Sequence, residues 1–295
     1  MTENHKNQIC TRNRLPGYLL KKVKLGGETF KLKQLLRSLE VSTVCENALC
    51  PNITECFEAG EVTFIIMGST CSRNCGFCGV TSGSPSALDP AEPEKIADAA
   101  ARLKLKYVVL TSVTRDDLPD GGAAHFGACI RTLHDRMPGV GVEVLIPDFK
   151  GDRAALETVL RENPDVLAHN LETVKRLYNQ ARYGSNYHRS LDILRIAAEI
   201  RPDIPVKSGF MVGLGETDQE IEELMRDIRA TGCTMLTIGH YLPPTRKNIP
   251  MINPVPPEKF DQWRERALEI GFKSVSSGVF VRSSHHAMEQ LKEVR

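Results

Sequence analysis

From residue 62 onward, short apolar runs alternate with longer amphipathic segments, and this alternation constrains the fold more than any other feature of the chain. Six runs read as buried strands: 62–67 (VTFIIM), 106–111 (KYVVLT), 142–147 (VEVLIP), 165–169 (DVLAH), 205–212 (PVKSGFMV) and 235–240 (MLTIGH). Between and after them, apolar residues recur at helical spacing. The stripes are Ile96, Ala99, Ala100 and Leu103; Phe126, Ile130 and Leu133; Ala155, Val159 and Leu160; Leu191, Leu194 and Ala198; Ile221, Leu224, Met225 and Ile228; and Phe260, Trp263, Ala267 and Ile270. Short apolar strands separated by amphipathic helices predict a parallel sheet with helical crossovers. Six units favour a partial (β/α)6 barrel over an eight-unit barrel, which takes about 250 residues. A doubly wound open sheet is the alternative, but no G-x-G-x-x-G follows the first strand, so a dinucleotide-binding version has no support. In either architecture ligands belong beyond the C-terminal ends of the strands.

Composition excludes several classes. Hydrophobic residues make up 41% and charged residues 25% of the 295, the balance of a globular protein rather than a disordered chain, a collagen-like repeat or a coiled-coil rod. No stretch approaches the ~18 consecutive apolar residues that span a bilayer. The opening MTENHKNQICTRNR has no apolar core of a secretory signal, so the expected location is cytoplasmic, with no membrane partner. Net charge is only +1, yet residues 1–40 hold nine Lys and Arg against Glu3, Glu28 and Glu40. That arm is either a solvated face or a docking surface for an acidic partner. Few aromatics accompany the cations, which argues against nucleic acid.

Six of the nine cysteines fall between Cys45 and Cys78. In an intracellular chain this density means metal or redox chemistry rather than disulfides. After a short helix over 31–40 with Leu35, Leu36 and Leu39 on one side, the segment CENALCPNITEC places Cys45, Cys50 and Cys56 as C-x4-C-x5-C. The first strand then runs into CSRNCGFC, where Cys71, Cys75 and Cys78 form C-x3-C-x2-C in a loop that follows a strand. Structural zinc takes four protein ligands. Three clustered thiols instead suit a four-iron cluster with one iron open to a non-protein ligand, and zinc or a redox pair is the competing reading. The other set is open to the plainer reading of structural cysteines in a Pro- and Asn-containing loop. Cys10, Cys129 and Cys233 stand alone and read as small buried hydrophobes.

The C-x3-C-x-aromatic-C pattern, with Phe77 as the aromatic, resembles the signature of the radical S-adenosylmethionine (SAM) enzymes. Both cysteine sets, with TSVTRDDLPDGGAAHF, EVLIPDFKG, HNLETV, KSGFMVGLGET and RSSHHA, closely resemble the lipoyl synthase family over nearly the whole chain. Phe57 stands where Trp is expected and His285 where Tyr is common. The resemblance implies a partial barrel covered by extensions, divided as 1–60, 61–272 and 273–295. It implies two 4Fe-4S clusters and SAM as cofactors. The reaction it implies is insertion of two sulfur atoms, at C6 and C8, into an octanoyl chain on a lipoyl carrier domain, with the auxiliary cluster as sulfur donor. The implied partners are the acyltransferase subunits of 2-oxoacid dehydrogenases, the glycine cleavage H protein, and an electron donor such as ferredoxin or flavodoxin. The implied ligands are Cys71, Cys75 and Cys78 for the SAM-opening cluster, and Cys45, Cys50, Cys56 and Ser283 for the auxiliary one.

Further expectations come from position. Asn170, Glu172 and Thr173 follow the fourth strand and face either the amino-acid or ribose end of SAM or simply a helix N-terminus. Arg182 and Lys207 are candidates to neutralise the cofactor's carboxylate if they face inward; Lys207 equally reads as a side chain near the barrel rim. Gly213–Thr217 forms a βα turn that either admits adenine or is merely tight. Asp116, Asp117 and Asp120 are caps or site residues, with Gly121 and Gly122 opening a helix.

Overall fold

The computed structural model describes residues 15–21, 27–47, 50, 52–58 and 61–295, without the side chains of 27–29, 57 and 58. Cys10, the Phe57 side chain and the arm cations Lys6, Arg12, Arg14, Lys22 and Lys24 therefore lie outside the described residues. The elements in chain order are α1 (Gly27–Ser38), β1 (Ser42–Thr43), α2 (Val44–Asn47), α3 (Ile53–Glu58), β2 (Thr63–Ile66), β3 (Thr70–Cys71), β4 (Thr81–Ser82), α4 (Glu92–Arg102), β5 (Tyr107–Ser112), α5 (Ala123–Arg136) and β6 (Gly141–Leu145). They continue with α6 (Arg153–Leu160), β7 (Val166–Ala168), α7 (Tyr178–Ala181), α8 (Tyr187–Ile200), β8 (Val206–Val212), α9 (Asp218–Ala230), β9 (Met235–His240), α10 (Pro257–Ile270), β10 (Ser274–Gly278) and α11 (Ala287–Lys292).

All six strands read from the sequence are present, in the order β2-β5-β6-β7-β8-β9, and every pair is parallel. Two strands extend them. β10 pairs in parallel with β9, Ser274 opposite Met235 and Gly278 opposite Gly239, while the two-residue β1 pairs antiparallel with β2. Neither was legible: SVSSG is short and polar, and the ladder from β9 imposes extension where side-chain propensity does not. The sheet order is linear from β1 to β10, so the sheet curls into a partial barrel without closing.

The helices form where caps and apolar stripes coincide. Before α9, Thr217 and Glu220 make a reciprocal capping box, and Ile221, Leu224, Met225 and Ile228 are buried on one face. Each such side chain contributes about 1.5–3 kcal/mol on burial. Asp152 caps α6 and Asn186 caps α8 through backbone N–H groups. Gly122 precedes α5 in the left-handed region at φ 90°, and a Cβ there would lie 2.2 Å from Met67 Sδ, so this entry requires glycine. Cys129 and Cys233 are fully buried, as expected of small hydrophobes. No helix among the described residues is long and apolar enough to cross a membrane.

Candidate functional site

The loop after β2 carries Cys71, Cys75 and Cys78 and is tied to its surroundings on four sides. Ser72 N donates to Thr114 O at 3.0 Å, Gly76 N to Ala181 O at 2.9 Å, and Ile249 N to Gly76 O at 3.0 Å. Asn248 Nδ2 donates to Cys78 O at 2.8 Å. Arg73, inside the cysteine motif, is buried and commits all five of its N–H donors. It bonds Asp116 at 2.6 and 2.9 Å, Asp148 at 2.7 and 3.0 Å, and Ser185 at 3.1 Å. Burial pushes the Asp148 carboxyl up, but the Arg73 hydrogen bond and charge outweigh it and hold Asp148 well below the usual carboxylate range. Three successive βα loops thereby grip one residue of the cysteine loop.

The thiols face a setting that suits iron. Cys71 Sγ accepts from Thr114 N at 3.2 Å and Arg73 N at 3.4 Å, and Cys78 Sγ accepts from Val80 N at 3.4 Å. Burial pushes the Cys75 thiol up to about 11, with the Arg182 charge acting in the opposite direction. Burial also raises Cys78. Buried thiols of this kind become thiolates when a coordinated cation supplies the offsetting charge.

Asn170, Glu172 and Arg182 form the adjoining wall. The chain after β7 does not enter a helix at Asn170; it stays extended, and Glu172 makes a parallel bridge to Phe210 with its own φ at 69°. Asn170 Nδ2 donates to Glu172 Oε1 at 3.0 Å and to Ser283 Oγ at 2.7 Å. Arg182 Nη1 donates to Asn170 O at 2.6 Å and to the Tyr178 hydroxyl at 2.7 Å. Burial raises the Glu172 carboxyl, opposed by Arg182, Asn170 and Arg282. Asn170 Oδ1 and Arg182 Nε are buried without a partner. The open donor of Arg182, whose charge acts on Cys75, and the open acceptor of Asn170 fit the carboxylate and ammonium of an amino-acid cofactor.

The second cysteine set lines a cavity of about 350 Å³ with Val62, Thr63, Tyr107, Val109, Arg282, Ser284 and His285. That is roughly ten times the liquid-volume share of a water, room for a polynuclear group. Burial pushes Cys45 and Cys56 up to about 12, reinforced by the neighbouring thiols. The two serines of the Arg282–Ser284 segment have different neighbours. Ser284 lines the cavity, whereas Ser283 is turned to Asn170.

Lys207 requires a correction. It does point inward, but it lies near the start of β8, fully buried, with Nζ 3.0 Å from Glu143 Oε1. Glu143 in turn accepts from the Tyr107 hydroxyl at 3.2 Å. Lys207 is thus paired with Glu143 inside the barrel and is not among the charges that act on Cys75. Phe77 is half-buried and packs against the core. In the Gly213–Thr217 turn, Glu216 Oε2 accepts from Gly213 N and Leu214 N at 2.9 Å each. Asp117 pairs with Arg115, and Asp120 caps the start of α5. The site residues that sequence reading missed are Arg73, Asp148 and Asn248; a cation inside the C-x3-C motif, with acids in the following loops, was the available signal.

A thiol triad presented by the loop after the first parallel strand defines a class. A family model described as the Radical SAM superfamily matches residues 65–228. Methylornithine synthase (PylB) shares the architecture at TM-score 0.54 and 14% identity, over 83% of this chain and 77% of that one. HydG, a maturase of the FeFe-hydrogenase, does so at TM-score 0.53 and 15% identity, over 90% and 74%. At those identities the likeness is one of fold alone. Within the class, a model for the N-terminal domain of lipoyl synthase matches residues 1–50. The chain is 53% identical to the lipoyl synthase of Syntrophotalea carbinolica over 95% of its length and 91% of that relative. It is 50% identical to that of Methylococcus capsulatus over 94% and 86%. The chain belongs to the lipoyl synthase family, radical SAM enzymes that use SAM and two 4Fe-4S clusters.

Proposed function

We propose that the two cysteine sets divide the work of lipoyl formation. Cys71, Cys75 and Cys78 hold the cluster that opens SAM; Cys45, Cys50 and Cys56, with a serine of the Arg282–Ser284 segment, hold the auxiliary cluster. When bound, these groups supply a 5′-deoxyadenosyl radical and sulfide, by which sulfur enters two C–H positions of a protein-bound octanoyl chain. The chain's own residues bind and orient. Arg73 fixes the cysteine loop on the barrel, and Arg182 and Asn170 take the carboxylate and ammonium of SAM through their open Nε and Oδ1. Glu172 adds a carboxylate partner for that ammonium. The observation that carries this reading is the Asn170 side chain, which donates to Glu172 on the SAM side and to Ser283 on the auxiliary side.

The family motif pointed to Ser283 as the fourth auxiliary ligand. The position of Ser284 on the cavity wall favours Ser284, with Ser283 as the link to Asn170. An alkoxide is a harder ligand than thiolate, suited to a bond released when the cluster gives up sulfur. Residues 1–60 serve as the extension carrying the auxiliary set and 273–295 as the segment that closes it. The carriers are the lipoyl domains of 2-oxoacid dehydrogenases and the glycine cleavage H protein, docked through the basic arm, and a ferredoxin or flavodoxin supplies electrons. The test is anaerobic turnover with an octanoylated carrier peptide, read by mass spectrometry for gain of two sulfurs. SAM cleavage without sulfur gain would overturn the substrate assignment.

A further inference from the structure

Outside the two cysteine sets, the described residues hold one group of side chains whose ligand atoms converge as a metal site requires. Glu55, His285 and His286 offer a carboxylate oxygen and two imidazole nitrogens, all within 4.8 Å of one another. They come from separate parts of the chain, α3 and the turn before α11. His286 holds a left-handed backbone, φ 52°, a conformation that costs a non-glycine residue about 1–2 kcal/mol. Strain of that kind concentrates at functional positions. His285 Nε2 is buried with no hydrogen-bond partner, an unfavourable state for a ring nitrogen unless a further group meets it. Two more carboxylates approach: His286 Nδ1 lies 3.4 Å from Glu289 and 3.6 Å from Glu61. The Lys21 ammonium pairs with Glu55 while donating to Asn52 Oδ1 at 2.6 Å, so a metal ion bound here displaces that ammonium from the carboxylate.

We propose that Glu55, His285 and His286 form a mononuclear site for a divalent first-row transition metal, with ferrous iron as its occupant. Two imidazoles and one carboxylate with open positions is the donor set of mononuclear ferrous sites, whereas magnesium and calcium prefer oxygen-only shells. The place of the trio decides the metal. Glu55 immediately precedes Cys56, and His285 follows Ser284 and lines the same cavity. The site therefore stands at the edge of the seat where iron is loaded and shed, which rests on reading that cavity as the auxiliary-cluster seat. His285 completes the donor set in this chain, where tyrosine is common in the family.

The test uses protein whose two clusters are built from natural-abundance iron. Ferrous iron of the Mössbauer-active isotope is then added anaerobically, without SAM or substrate, so that only added iron is seen. The expected result is one high-spin ferrous ion per chain in a nitrogen and oxygen environment. Its affinity should fall at least about tenfold in Glu55→Gln and in His285→Ala, since even loss of an outer-shell partner costs 10–100-fold. Glu55 is exposed, so that variant keeps the test open if His285→Ala folds poorly. No uptake by the unsubstituted protein, or equal uptake by both variants, would overturn the proposal. Acid-labile sulfide measured on Cys45→Ala reports the auxiliary-cluster reading separately: unchanged sulfide there would fail that reading whatever the added iron does.

Discussion

The two cysteine sets are chemically alike and mechanically different. The Cys71–Cys78 loop is fastened by backbone bonds to Thr114, Ala181 and Ile249 and by a buried guanidinium shared between Asp116 and Asp148. Cys45 and Cys56 ride instead on helices of four and six residues. Among the described residues, that region meets the rest of the chain through contacts that include the two-residue β1 ladder and Asn52 Nδ2 donating to Phe280 O at 2.6 Å. The two sets share their ligand type and differ in what holds them. On the proposed division of work, a cluster that opens SAM suits the fastened loop, and one that gives up sulfur suits the set on short helices.

The strongest way to break this comparison is to remove one ligand from each side. Cys75→Ala should retain auxiliary sulfide yet form no 5′-deoxyadenosine, measured after anaerobic reconstitution. Ser284→Ala should do the reverse, cleaving SAM while failing to complete the lipoyl product. A Ser283→Ala protein that loses product formation while Ser284→Ala keeps it would return the ligand to Ser283. Cofactor cleavage by Cys75→Ala would erase the distinction altogether.

Stability should differ between the mountings as well. Removing one partner of a buried ion pair costs about 3–5 kcal/mol, so Asp148→Asn should lower the urea midpoint strongly. Glu46 lies 4.0 Å from Lys33 and 3.8 Å from the exposed Arg37, and Glu46→Gln should cost about 1 kcal/mol or less. Equal costs would show that the first loop is no more firmly built than the second.

Acid should act on the barrel side through His169. Its ring bonds Ile146 O and Ser190 Oγ at 2.8 and 2.9 Å, and burial lowers its pKa to about 4. The unfolded chain, with a value near 6.5, takes up that proton first. The contribution is therefore full above pH 6.5 and is lost as pH falls from there through 4. At about 1.4 kcal/mol per unit, the loss reaches about 3 kcal/mol. Urea unfolding at pH 7 and pH 5 in His169→Gln and the parent should show a shallower slope in the variant; parallel slopes would refute the assignment. The smallest effect belongs to the basic arm. Reversing Lys22 and Lys24 to Glu, which leaves the Lys21 pairing with Glu55 intact, should raise KM for a whole carrier domain a few-fold and mimic added salt, which screens charges over roughly 8–10 Å. An unchanged KM would return the arm to a solvated face.

How far the sequence reached depended on the range of the interactions. Strands β2 and β5–β9 announce themselves through local apolar runs, and six cysteines through spacing. Arg73 stayed unseen because its carboxylate partners lie 43 and 75 residues away. Alternation along β8 gives the inward direction of Lys207 but not its depth, and depth assigns it to Glu143 rather than to the cofactor. Ser283 and Ser284 occupy one turn, and which of them lines the cavity follows from contacts with Asn170 that no local pattern encodes.

Glu172 carries a last consequence. A side chain at φ 69° sits where glycine or asparagine is more at ease, so the fold would gain from replacing it. Natural chains rarely occupy their stability optimum, and the shortfall gathers where activity needs an awkward residue. A directed-evolution library scored only for heat tolerance would discard Glu172 early and keep an intact barrel. On the role proposed for Glu172 at the SAM ammonium, the same library scored for SAM cleavage would restore it, so the two selections would pull this position in opposite directions.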